Sequence, residues 1–250
     1  MTTDWVLAGG YQGFPLMYHW RVLPGTAPLP EELAGVDRAV AHWGGGPGIR
    51  RRIEGIAGAS AFLDLFLEYV PQTLDAWLAE RLAAGEDEAD RACSLAAAGL
   101  DAGTSFLNAR GVLHFDAHFR NVLVADDRLC FADYGLAVSS RFDLSGAETD
   151  FFGQHRSYDR CLTRSWLVNR LITGVYGYGR EEREALLHAC ARGAAPPDGP
   201  PAAREIISRH APLAAVMTEF HGRLQDGDRT APYPAEALHR ALVADGSRHG

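Results

Sequence analysis

The chain has 250 residues, 47% of them hydrophobic, which is enough to bury a sizeable core and excludes wholesale disorder. A formal net charge of −8 excludes a nucleic-acid binder that works through a strongly basic surface. No apolar run reaches the ~18 residues needed to span a bilayer. Met1 is followed by Thr-Thr-Asp rather than a basic and apolar leader, so a cytoplasmic chain with no membrane partner is expected.

In chain order, "WVLA", "GGYQG" and "FPLMYHWRVL" predict a hairpin with a Gly-rich turn. "PLPEELAGVDRAVAHW" predicts a helix, with Pro and acidic residues at its start, Leu33, Val36 and Val40 at helical spacing, and Gly44 to Gly46 as its stop. "RRIEGIAGA" and "AFLDLFLEYV" predict two adjacent strands. After Pro71 the texture changes. Thr73 caps a helix over "LDAWLAERLAAG", and a long Ala-rich helix follows and ends at Gly111. Then come a loop, a short strand, a turn at "ADDR" and another short strand. From about Asp150 the chain reads as helix and loop, with "ARGAAPPDGPPAA" joining helices and "DGSRHG" fraying at the end. This divides the chain into a small strand-rich part over residues 1–70 and a helical part over 71–250, an α+β class.

Cys93, Cys130, Cys161 and Cys190 form no CxxC pair, so neither a zinc site nor a disulfide framework is expected, and they read as reduced core residues. All 24 basic residues are Arg; the chain has no Lys.

The chemistry concentrates in "GVLHFDAHFRNVLVADDRLCFADYGLA", Gly111 to Ala137. Asp116, Asn121 and Asp133 stand here between apolar runs such as Val122-Leu123-Val124 and Cys130-Phe131-Ala132. Buried polar groups are costly without partners. A partner common to all three is a hard cation, which takes oxygen ligands.

This stretch resembles the protein-kinase-like superfamily, which holds protein kinases, atypical bacterial kinases and aminoglycoside-phosphotransferase-like kinases. "HFDAHFRN" matches the H-x-D-x-x-x-x-N spacing of the catalytic loop through His114, Asp116 and Asn121. "ADYGLA" resembles the D-F-G-L-A metal loop, with Tyr134 in the Phe position, and "LDLFLEYVPQTLDAWL" resembles the strand and hinge that hold adenine. The resemblance spans roughly residues 15 to 175 and implies a bilobal fold with a reduced N-lobe. It also implies ATP and magnesium as cofactors, Asp116 as the residue that orients or deprotonates an acceptor hydroxyl, and Asn121 and Asp133 as metal ligands. It further implies Glu68 and Val70 as main-chain partners of adenine and Leu67 as gatekeeper.

The same resemblance sets Arg21 of "MYHWRVL" where the family carries its phosphate-binding Lys, with Glu32 or Asp37 as its acidic partner. "GGYQG" reads as a plain hairpin turn more readily than as a phosphate lid, and no A-P-E element follows the metal loop. His114 reads as a structural residue bonding the backbone. His118 reads as a polar loop residue, or as one that supports Asp116 or meets substrate. Asp159 reads as an anchor of the following helix.

The expectation is an ATP- and Mg-dependent phosphotransferase acting on a hydroxyl of a protein or small molecule. A pseudokinase is the alternative, and a metal-dependent hydrolase on the same carboxylates is a third reading that leaves the hinge-like segment unexplained. The acidic composition would suit a cationic acceptor such as an aminoglycoside.

Overall fold

The computed structural model describes residues 1–26, 28–228 and 230–246, with the side chain of Glu32 outside that set, as are the last four residues of "DGSRHG". The structure is α+β, mostly helical with small antiparallel sheets.

The chain begins with helix α1 (Thr2–Leu7), where a strand was expected. Asp4 in its first turn lies 3.0 Å from the N-terminal ammonium, and an acid there suits the positive end of a helix. The Gly-rich "GGYQG" that follows is neither a hairpin turn nor a lid. It runs as coil across the helical part, where the Gly13 carbonyl accepts a hydrogen bond from the Phe131 N–H at 2.9 Å. Trp5, Tyr11 and Phe14 close around Phe106, with Tyr11 stacked on it at 4.7 Å between centroids. Phe14 is fully buried in the same core as the later helices. Residues 1–16 therefore belong with the helical part, and the expected boundary at 70 needs that correction. Their aromatic rings gain far more by burial there than in a two-stranded ribbon.

That ribbon is β1 (Met17–Pro24) paired antiparallel with β2 (Ala61–Leu67). Between them lie α2 (Glu31–Ala34), α3 (Val36–His42) and α4 (Pro47–Ala57). The single helix expected over "PLPEELAGVDRAVAHW" breaks at Gly35, whose φ of −94° and ψ of 82° are not helical. "RRIEGIAGA" was expected as a strand and forms the body of α4. Pro47 opens that helix, and Ile49 and Ile53, four apart, turn to one side to meet Ala39 and Val40. Tyr18, Trp20, Val22, Leu63 and Leu65 share the outer face of the ribbon and are exposed.

The rest follows the sequence closely. After β3 (Gln72–Thr73) comes α5 (Leu74–Ala83), and the Thr73 hydroxyl accepts from the Ala76 N–H at 3.3 Å, as expected of an N-cap. Helix α6 (Glu86–Ala109) is the long Ala-rich one, and Gly111 beyond it adopts a φ of 67°. Strand β4 (Val112–Leu113) leads to the polar loop, and β5 (Val122–Ala125) and β6 (Arg128–Phe131) form the predicted hairpin. Asp126 and Asp127 both have positive φ at its turn, the backbone that a two-residue hairpin needs.

Two glycines let this hairpin lie against α6. A Cβ on Gly99 would come within 2.7 Å of Leu129, and one on Gly103 within 2.7 Å of Cζ of Phe131. Strand β7 (Val138–Ser139) pairs with β4, and α7 (Gly146–Gln154) opens with a capping box of Ser145 and Glu148. Helices α8 (Tyr158–Tyr176), α9 (Arg180–Ala191), α10 (Pro201–Gln225) and α11 (Ala235–Gly246) complete the fold. The four cysteines are buried free thiols, and burial pushes Cys161 up to about 11 and Cys93 up to about 12.

Candidate functional site

The β5–β6 hairpin brings two of the three polar residues to one end. Val122 pairs with Phe131, and the Ala132 N–H donates to the Asn121 carbonyl at 2.8 Å, so Asn121 and Asp133 flank the same end of the ladder. The Asn121 side-chain amide donates 3.0 Å bonds to the main-chain oxygen and to Oδ2 of Asp116. Asp116, half-buried, is thereby held against the Asp133 end of the hairpin. Phe115 and Asp133 both adopt left-handed backbone, with φ of 62° and 57°. Such strain in non-glycine residues costs of order 1–3 kcal/mol each and survives where surrounding bonds enforce it.

Those bonds are present. Asp159, on the buried face of α8, accepts the His114 N–H at 2.6 Å and the Phe115 N–H at 2.8 Å, one on each carboxylate oxygen. It is only 4% exposed, and burial raises its carboxyl above the usual range despite the two N–H groups. Asp159 thus braces the loop across 44 residues of sequence, a larger role than anchoring its own helix. His114 is fully buried, its Nε2 2.9 Å from the Ala132 carbonyl and its Nδ1 3.3 Å from the Asp116 N–H. Donation at Nε2 and acceptance at Nδ1 define one neutral tautomer, so His114 ties the loop to the strand before Asp133. The Tyr134 ring lies 4.8 Å from His114, and its hydroxyl donates to the Phe131 carbonyl at 3.2 Å. Burial pushes that hydroxyl above its ordinary pKa, which keeps it a donor.

His118 is tied into the loop. Its Nδ1 accepts from the Arg120 N–H at 3.2 Å and its Nε2 lies 3.6 Å from Asp116 Oδ1. Asp133 is exposed; one oxygen accepts the Gly135 N–H at 3.2 Å and the other makes no protein hydrogen bond among the described residues. The Asn121 amide nitrogen is committed to Asp116, and its Oδ1 makes no hydrogen bond among the described residues. These oxygens fit a magnesium ion, which takes one or two protein oxygens and fills its shell with water and phosphate. Among the described residues no group of three or more His, Cys, Asp or Glu forms an all-protein metal cage.

The hinge-like segment is pinned at Glu68. Its N–H donates to the Leu16 carbonyl at 2.7 Å, and its carboxylate accepts the Leu16 N–H at 3.0 Å and lies 3.9 Å from Arg128. Among the described residues the Glu68 carbonyl and the Val70 N–H make no hydrogen bond, and Val70 is buried.

Arg21 departs from expectation. It sits exposed on β1 opposite Asp64, its Nε donating to the His19 ring at 3.2 Å and its guanidinium 5.7 Å from the Phe66 ring centre. Asp37 pairs with Arg50 on α4, not with Arg21, and the side chain of Glu32 lies outside the described residues. Side chains alternate along a strand, so Asp64 and Phe66 share the face of Arg21 while Leu67 takes the other. Arg21 and Leu67 therefore cannot both look into one cleft as the family pattern would have them do.

Beside the loop that carries Asp116 opens a cavity of about 650 Å³, with Phe115, Asp116 and His118 on one side and α8, α9 and α10 on the other. Trp43, just past α3, reaches it from the small part. These wall residues were not visible in the motif reading. The one sequence signal at this end of the molecule is Asp159 itself, an acid in the apolar stripe of α8 with Leu162 and Thr163. No protein-family model matches the chain, and no curated protein matches it.

Proposed function

We propose that the protein is an ATP- and magnesium-dependent phosphotransferase of bilobal, kinase-like architecture that phosphorylates a hydroxyl group. The observation that carries this reading is the bonded unit of Asp159, His114, Asp116 and Asn121, which fixes the Asp116 carboxylate in a cavity wall, with Asn121 and Asp133 flanking the adjoining end of the hairpin. Phosphoryl transfer asks the protein for positioning and charge neutralisation more than for covalent help.

In this reading Asp133 and Asn121 hold magnesium, which neutralises phosphate charge when bound. Asp116 receives the acceptor's hydroxyl proton and passes it to solvent. The hydroxyl oxygen bonds to the γ-phosphorus as the bond from that phosphorus to the β–γ bridging oxygen breaks, and ADP leaves. The Asn121 amide keeps the Asp116 carboxylate aimed and off the metal. The Glu68 carbonyl and Val70 N–H serve adenine.

The pseudokinase reading is favoured by one observation: the only cation at the family's Lys position is Arg21, engaged with His19 and Phe66 on an exposed strand. Thermal stabilisation by Mg-ATP, compared in wild type, Asp133→Ala and Asp116→Asn, separates the two. The phosphotransferase reading expects Asp133→Ala to lose the Mg-dependent shift. It expects Asp116→Asn to keep the shift and lose turnover by about two orders of magnitude or more. ATP bound without turnover in any variant selects the pseudokinase. No Mg-ATP shift in wild type sinks the phosphotransferase and the nucleotide-binding pseudokinase, and leaves only a scaffolding module.

A further inference from the structure

The acceptor cavity has a charge and hydrogen-bond pattern of its own. Arg180 donates to Glu184 at 3.0 Å, so those two wall charges cancel. Arg183, one turn along α9, has no carboxylate within ion-pair distance among the described residues. Its Nε is shut off from solvent without a hydrogen-bond partner. Across the cavity the Asn169 amide nitrogen donates to the Ser165 carbonyl at 2.9 Å and to the Thr218 hydroxyl at 3.2 Å. That network fixes the amide orientation and leaves Oδ1 buried with no donor. His221 lines the same wall, and burial lowers its pKa, so it adds no competing charge near neutrality. Trp43 and Trp166 supply flat apolar walls.

A guanidinium left half-buried without an anion is costly. Arg183 lines a cavity of small-molecule size that Asp116 also lines. The geometry points to an acceptor that is a small hydroxylated molecule bearing one anionic group, carboxylate or phosphate, of the sugar-acid or sugar-phosphate kind. Arg183 takes the anion and the tryptophans cover the ring. A hydroxyl then faces Asp116. This differs from the cationic acceptor that overall composition suggested: with Arg180 paired to Glu184 and Asp116 set against the reacting hydroxyl, Arg183 is the wall charge left without a counter-ion among the described residues. It rests on the phosphotransferase reading for the fate of that hydroxyl, but not for binding.

The test uses the full chain with glucose, glucuronate, glucose 6-phosphate and glucosamine, matched in ring size and differing in charge, each titrated calorimetrically with and without Mg-ATP. Binding of glucuronate or glucose 6-phosphate in preference to glucose and glucosamine is expected, and the two anions between them identify the group. Arg183→Gln should weaken the anion about 10–100-fold, the worth of a charge-assisted bond, and leave any glucose binding unchanged. Arg183→Lys should recover part of the loss, which guards against a folding defect. Preference for glucose or glucosamine, binding of none of the four, or anion binding indifferent to Arg183→Gln overturns the inference. Arg183-dependent anion binding in a chain that ignores Mg-ATP sinks the phosphotransferase reading alone.

Discussion

Removing the Asp159 carboxylate should loosen the site more than any other single change outside it. The carboxylate satisfies the N–H groups of His114 and Phe115 at 2.6 and 2.8 Å, and His114 is fully buried. In Asp159→Ala neither N–H has another protein acceptor in place, and each orphan costs about 1–3 kcal/mol. Against this, the variant no longer buries a carboxylate, whose raised pKa reports an unfavourable environment for the charge. The net expectation is a loss of about 2–4 kcal/mol, a large share of the 5–15 kcal/mol typical of a domain. At 2–4 °C per kcal/mol for this chain length, melting should fall by roughly 4–16 °C. Asp159→Asn keeps one acceptor and should lose about half as much. Urea denaturation gives the energies. Hydrogen exchange at the His114 and Phe115 amides gives the location, because those two should lose protection before the rest of the core does. Asp159→Ala within 0.5 kcal/mol of wild type, or unchanged exchange at both amides, would refute the bracing role.

Other expectations follow from the same geometry. Gly103→Ala forces a methyl group against the Phe131 ring, and urea denaturation should show a loss of about 1–3 kcal/mol, with little effect from Gly146→Ala, which meets open space. Thr73→Ala removes the cap of α5 and should cost about 1 kcal/mol by the same assay. His210 is buried on α10, and burial lowers its pKa from 6.5 to about 4, with Asp245 at 3.3 Å opposing that shift. A depressed folded pKa means that its contribution is present above pH 6.5 and lost as pH falls towards 4, at about 1.4 kcal/mol per unit and so of order 3 kcal/mol. His210→Gln should flatten the stability curve over that window, and identical slopes in the two proteins would rule His210 out as the cause.

What the sequence made legible was local. Thr73 before an apolar helix, the Asp-Asp turn at 126 and 127, and the Asp116, Asn121 and Asp133 spacing all lie within segments whose partners are near in the chain. Elements within residues 1–70 misled because each is short and depends on distant burial. Trp5 and Val6 look like strand residues until Phe106 is known to lie beside them, and Ile49 and Ile53 follow helical spacing in a segment whose glycines argue against a helix. The brace at Asp159 and the wall at Arg183 and Asn169 come from separations of tens of residues, which no local pattern encodes. Arg21 was placed by analogy of position, and strand alternation then put it on the face opposite Leu67.

Leu16 and Glu68 are bonded to each other through both a backbone and a side-chain contact, at 2.7 and 3.0 Å. Residues before Leu16 and after Glu68 share one core, so everything between, from Met17 to Leu67, is a cassette spliced into the helical part at a single two-strand neck. Such a cassette can be cut out and its ends joined by a short turn without opening the core, which would leave Asp116, Asn121, Asp133 and Asp159 in place while removing Trp43 from the cavity. The neck is also where the two parts can tilt, since only two strands cross it and few bonds need to bend. Substitutions at Leu16 or Glu68 would then alter how wide the mouth opens with the chemistry beneath it intact.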